Sequence, residues 1–243
     1  MPNYITWLGH STFKIETGEG RILLIDPWLQ GNPACPDAAK HLSRVDVILC
    51  THGHPDHIGD AVAISRQFQP TVIAIYELAA WLGSKGAKHV SPMNKGGSQE
   101  AAGVKITMVH AQHSSGIQLE DGSILYGGEA CGYVLELPGG LRIYHAGDTD
   151  VFGDMQLIHQ LYQPEICLLP IGDHFTMGPR EAELACSLLK PRIVIPMHYG
   201  TFPILKGGPA DLADAAQRMN FEIWQLEPGK RDELVLPRQL THA

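Results

Sequence analysis

The sequence predicts a single four-layered α/β domain over residues 1–243, with two β-rich layers and helices recurring in both halves. Three observations predict it. Short apolar runs of strand character recur along the chain, helical spacings lie between them, and no Pro/Gly/Ser-rich linker or low-complexity stretch divides the halves. A chain of 243 residues with 44% apolar content buries a sizeable core without disulfides.

The start is β-rich. Residues 4–8, 12–16 and 21–25 are short extended segments separated by Gly-containing turns. Residues 45–50 (Val-Asp-Val-Ile-Leu-Cys) form a buried strand, and residues 60–68 are helical by the spacing of Ala61, Ile64 and Phe68. A strand follows at 71–75 and a short helix at 77–82, ended by Gly83. The second half repeats this rhythm without repeating the sequence. Strands are expected at 104–110, 133–137 and 141–145, the last two joined by the hairpin signal Pro138-Gly139-Gly140. Residues 154–161 are helical, 166–170 a strand, and 179–189 a helix with proline at an early position. A strand at 193–196, a helix at 209–219 and edge strands at 222–226 and 233–236 complete the chain.

Net charge is −8 with histidine neutral, and no Lys/Arg run exists, which argues against a nucleic-acid groove. No basic-then-apolar leader is visible at the N-terminus and no apolar run reaches membrane-span length, so a cytoplasmic protein without a membrane partner is expected. The five cysteines are scattered with no C-x-x-C pair, which suits a reducing compartment and argues against a thiolate metal site. Trp28, Trp81 and Phe202 are expected in the core, at a pocket wall or at a contact between copies of a homo-oligomer.

The densest chemical signal is Thr51-His52-Gly53-His54-Pro55-Asp56-His57, which follows the strand at 45–50. Three imidazoles and a carboxylate crowded into one loop are costly unless they bind something, and a packed strand feeding a tight loop is a good way to fix metal ligands. With 13 histidines in the chain some clustering is expected by chance, but four ligand types at this spacing after a strand are not explained that way. One loop cannot saturate two metals. Partners are expected at three other strand ends: His110 to Ser115, His145 to Thr149, and His198 after Ile195-Pro196-Met197.

The succession H-x-H-x-D-H, a distal His, a Gly-Asp after a strand and a last His resembles the metallo-β-lactamase superfamily. Trp7-Leu8-Gly9-His10-Ser11 and the segments 51–60, 143–149, 169–179 and 195–199 resemble its branch of metal-dependent hydrolases close to ascorbate-6-phosphate lactonase-like proteins. The resemblance implies an αββα sandwich with the site along one edge of the two sheets. It also implies a ligand set: His52, His54 and His113 for one ion, Asp56, His57 and His198 for a second, and Asp148 bridging both. His113 is preferred to His110 because the family's ligand precedes a Ser-Ser pair. Asp26 is a candidate for orienting a ligand His or for an Asx-type turn before Pro27. His10 and His174 are candidates for lining the pocket and protonating a leaving group.

A nitrogen and oxygen donor set suits Zn²⁺, Mn²⁺, Fe²⁺, Co²⁺ or Ni²⁺ over Ca²⁺ and Mg²⁺. The expected chemistry is hydrolysis of a small ester, lactone or phosphodiester by a hydroxide shared between two divalent ions. No G-x-S-x-G motif points to covalent acyl transfer. Lys95, Arg180 and Lys206 are candidates for contacting a substrate phosphate. The alternative is a non-catalytic metal-binding or sensing protein on the same fold.

Overall fold

Three short strands make an antiparallel meander: β1 (Tyr4–Trp7), β2 (Phe13–Glu16), in which apolar and polar residues alternate, and the wholly apolar β3 (Ile22–Ile25). The computed structural model describes residues 1–236. After the meander, β4 (Val47–Leu49), β5 (Thr71–Ile75) and β6 (His89–Met93) add in parallel. Helical turn α1 (Pro55–Ile58) and helix α2 (Ala61–Phe68) lie between β4 and β5, and α3 (Tyr76–Ser84) packs on β5 and β6.

The second sheet repeats this plan. β7 (Ser98–Ala101) and β8 (Val104–His110) are antiparallel, and a separate hairpin follows as β9 (Gly116–Gln118) and β10 (Ile124–Tyr126). Next, β11 (Cys131–Glu136) pairs antiparallel with both β8 and β12 (Arg142–His145). β13 (Ile166–Pro170), β14 (Ile193–Met197) and β15 (Glu222–Ile223) then continue in parallel. The connections carry α4 (Met155–Tyr162), α5 (Pro179–Leu189) and α6 (Ala213–Met219), with α5 packed on β13 and against α4. Finally β16 (Arg231–Glu233) returns to pair with β1, giving two seven-stranded mixed sheets in a four-layer sandwich. Among the described residues no helix is long and apolar enough to cross a membrane.

The parallel strands β4, β13 and β14 are buried along their whole length, as sheets covered on both faces require. One contiguous apolar core takes residues from both sheets, among them Phe13, Ile48, Ile73, Tyr133 and Leu168. Two polar ties join the sheets where β4 ends. Tyr133 Oη donates to the Cys50 carbonyl at 2.8 Å, and Cys131 N donates to the Thr51 carbonyl at 3.0 Å. The loop that follows Thr51 is therefore pinned to the second sheet.

Several expected boundaries shift for local reasons. Gly83 does not end its helix. It lies inside α3, where an added Cβ would sit 3.2 Å from Val90, and the stop is Gly86 at φ +106°, with Ala87 N bonded to the Leu82 carbonyl. The expected helix at 209–219 is a 3₁₀ turn, Pro209–Leu212, followed by α6. The last edge strand is β16, ending at Glu233, rather than 233–236. β6, β7 and β9 carry polar residues, a proline or a glycine in place of an apolar alternation, and β10 is an exposed run of only three residues; none of the four is anticipated from sequence.

Candidate metal centre

The spacing of the H-x-H-x-D-H run is explained by a change of backbone. His54 is extended at φ −71° and ψ 147°, so His52 and His54 lie two residues apart on one side of the chain. Pro55 then opens α1, and His57 N donates to the His54 carbonyl at 3.0 Å, turning Asp56 and His57 back toward the same centre. Gly53 is demanded by space: a Cβ there would meet Ile117 at 2.7 Å. The expected loop is thus half extended strand and half helical turn.

Strand ends bring in the rest. Asp148 follows β12, His113 follows β8, and His198 follows β14 with φ +54°. His198 is held by close approach, since any Cβ on Gly172 would lie 2.0 Å from its carbonyl oxygen. Among the described residues three ligand-type groups have donor atoms within 4.8 Å of one another. Asp26, His52 and His57 form one, and two more share a centre: His52, His54 and His113, and His10, Asp56, His57 and His198. Asp148 Oδ2 lies between them, 3.1 Å from His198 Nε2, 3.2 Å from His57 Nε2, 3.8 Å from His113 Nε2 and 3.9 Å from His52 Nε2.

Asp26 is fully buried beneath this cluster at φ +47°. Its Oδ1 accepts from Thr51 N at 2.7 Å, and its Oδ2 accepts from Thr51 Oγ1 at 2.7 Å and from His57 Nδ1 at 2.8 Å. Thr51 Oγ1, having donated its proton, accepts from His52 Nδ1 at 3.0 Å. One carboxylate therefore directs Nε2 of both His52 and His57 toward the centre.

The electrostatics follow from burial and proximity. Burial, with His57 nearby, pushes His52 far down; burial lowers His54 and His113 as well. Burial opposes the charge on Asp148, yet His198 and His57 hold its carboxyl far below the usual range. Burial likewise opposes charge on Asp56, which the His10 hydrogen bond and His57 keep well down. Burial disfavours a charged His57, but Asp148 and Asp26 together raise it well above an ordinary imidazole. Two buried carboxylates thus demand a positive partner, and the proton on His57 meets that demand. A divalent cation would meet it too, releasing His57 Nε2, which is buried without a hydrogen-bond acceptor of good geometry. Neutral imidazoles, ionised carboxylates and an orphaned ring nitrogen fit a metal ion.

The remaining sequence candidates are placed as follows. His10 is fully buried and lies in the second group, with Nε2 3.1 Å from Asp56 Oδ2 and Nδ1 3.0 Å from Thr201 Oγ1; burial brings it down to about 4. Trp28 and Phe202 are half-buried and flank His10, with ring centroids 5.4 and 5.6 Å from it. His174 is exposed at φ +62°, its ring against Phe175, and is in none of the ligand groups. His110 is exposed at the end of β8, beside Phe152 and Lys95. Lys95 is also paired with Glu129, and Arg180 and Lys206 are exposed.

Sequence reading missed three supports. Thr51 carries the relay just described. Ser11 Oγ donates to Asp148 Oδ1 at 3.4 Å. His145, fully buried, accepts from Gly147 N at 3.1 Å through Nδ1 and meets the Ser11 carbonyl at 3.1 Å through Nε2, fixing the turn that carries Asp148. Their one available signal is adjacency to the motif residues.

Residues 4–198 match the family model described as beta-lactamase superfamily domain. The chain is 57% identical over 226 residues to a UPF0173 metal-dependent hydrolase of Solibacter usitatus, covering 93% of this chain and 97% of that one. It is 47% identical over 233 residues to one of Methanopyrus kandleri, covering 94% and 99%. Among solved structures, a metallo hydrolase of Ignicoccus hospitalis superposes with a TM-score of 0.82 at 34% identity, covering 98% of this chain and all of that one.

Proposed function

This chain belongs to the metallo-β-lactamase superfamily, and on that premise we propose that it is a hydrolase holding two divalent transition-metal ions. His52, His54 and His113 would hold one ion in this reading and Asp56, His57 and His198 the other, with Asp148 placed to serve both. The observation that carries the reading is Asp148 Oδ2, within 3.9 Å of ring nitrogens in both groups. A single carboxylate oxygen so placed is within reach of an ion in each group, which supports the two-ion reading.

When bound, the ions supply Lewis-acid polarisation of the scissile group and acidify water for the attack. The chain's own residues do the rest. Asp148 and Asp56 offset the positive charge, and Asp26 keeps both Nε2 lone pairs aimed inward. No thiolate nucleophile is offered: all five cysteines are buried, with burial raising Cys35 to about 11 and Cys131 and Cys186 to about 12. Water is the attacking group in this reading. Trp28 and Phe202, 6.0 Å apart, give one flank of the site an apolar wall.

We propose a small ester, lactone or phosphodiester as the substrate class, with a lactone of a phosphorylated sugar acid as the case nearest the sequence resemblance. Purified, metal-loaded protein assayed against lactones, phosphodiesters and thioesters should show chelator-sensitive turnover on at least one class. Silence across the panel, with two ions confirmed by elemental analysis, would instead assign a metal-binding or sensing role.

A further inference from the structure

We infer that His10 is a positioning residue for the second ion's ligands, fixing Asp56 through its ring and His198 through its carbonyl; this rests on the two-ion reading above. The ring is held at both ends. Asp56, a carboxylate, only accepts, so the 3.1 Å contact places the hydrogen on Nε2. Nδ1 then accepts, and Thr201 Oγ1 at 3.0 Å donates to it. The His10 carbonyl is engaged as fully, accepting from Trp7 Nε1 at 2.9 Å and from His198 N at 3.1 Å. The imidazoles of His10 and His198 lie 3.9 Å apart, centre to centre. His10 and His198 both adopt left-handed backbone, at φ +57° and +54°, so each side of this contact needs an outside tether.

The competing role is direct ligation, because His10 belongs to the same ligand group and its Nε2 is the ring nitrogen facing Asp56. The two roles exclude each other at one atom: an Nε2 that donates to Asp56 has no lone pair for a metal. A glutamine separates them. Its amide NH₂ can take the Nε2 position and donate to Asp56, but it is a poor transition-metal ligand.

The test is titration of the metal-free full chain with Co²⁺, followed by calorimetry and by d–d absorption, for wild type, His10→Ala, His10→Gln and Thr201→Val. Positioning predicts that His10→Ala weakens one of the two Co²⁺ steps by about 10–100-fold and leaves the other within about threefold. His10→Gln should restore most of that loss with a wild-type band shape, and Thr201→Val should cost a smaller factor. Direct ligation, with equal losses in Ala and Gln and a changed spectrum in both, overturns the inference. So does unchanged binding in His10→Ala. If His10→Ala does not fold, Gln and Val still decide. Failure of the wild type to bind Co²⁺ twice would overturn the two-ion reading instead.

Discussion

Replacing Asp26 by Asn is the sharpest test of how the centre is built. Asparagine keeps the shape of the side chain and tolerates the left-handed backbone at φ +47°, so the change is confined to charge and hydrogen bonding. One oxygen can still accept from Thr51 N. The other position becomes an NH₂ facing two donors, Thr51 Oγ1 and His57 Nδ1, which lie 2.7 and 2.8 Å from Oδ2 in the native protein. His57 must then move its proton to Nε2, the atom aimed at Asp148, and the Thr51 hydroxyl must turn toward His52. Losing a buried hydrogen bond to a charged group costs about 1.5–3 kcal/mol, which is about 10–150-fold in affinity for the ion held by His57. The His52 side loses a neutral relay of about 0.5–1.5 kcal/mol, or about 2–12-fold. Competition of the metal-free protein against a chelator of known affinity, resolving both steps, measures the asymmetry. Both affinities within twofold of wild type would refute the claim that Asp26 sets the two tautomers.

Three further outcomes are expected. Asp148→Asn should weaken both metal-binding steps and lower kcat at least about a hundredfold, since an amide cannot supply the shared negative charge; two tightly held ions with full turnover would contradict this. His174→Ala should leave kcat within about twofold, because its ring is exposed and in none of the ligand groups; a loss beyond tenfold would instead make it the leaving-group acid. Asp46, whose carboxyl is held low against burial by Arg44, Ile22 N and Arg21, contributes stability that is present above its unfolded pKa near 4 and is lost as pH falls through its lower folded value. Asp46→Asn should therefore cost about 1 kcal/mol at pH 7 and progressively less below about pH 4 in urea titrations; a gap constant with pH would count against that linkage.

Much of the fold is legible in the sequence wherever burial is two-sided or periodic. The strands at 71–75, 104–110 and 166–170 and the helix at 179–189 coincide with β5, β8, β13 and α5 because their apolar runs admit one reading. β6 and β7 escape it. His89-Val-Ser-Pro-Met and Ser98-Gln-Glu-Ala are edge-side strands held by backbone pairing, and their side chains carry little of that information. In the centre, the dense run 52–57 is legible because ligand chemistry is confined to few residue types. Thr51, Ser11 and His145 act through buried hydrogen bonds that include Thr51 to Asp26, Ser11 to Asp148 and His145 to Ser11, joining segments distant in sequence, and no spacing rule encodes those. His10 is legible as a pocket residue, but its two-ended tether depends on Thr201, 191 residues away.

Two groups among the left-handed residues have opposite consequences for engineering. Gln69, Gln163, Lys190 and Asn220 adopt φ between +45° and +57° just past the ends of α2, α4, α5 and α6, where glycine would serve as well or better. His10, Asp26 and His198 adopt the same backbone at the centre, at about 1 kcal/mol or more each. Heat-driven directed evolution scored on survival alone would reward glycine at both sets and so erode the centre as melting temperature rose. Confining diversity to the four helix ends would let robustness increase while the chemistry is left intact.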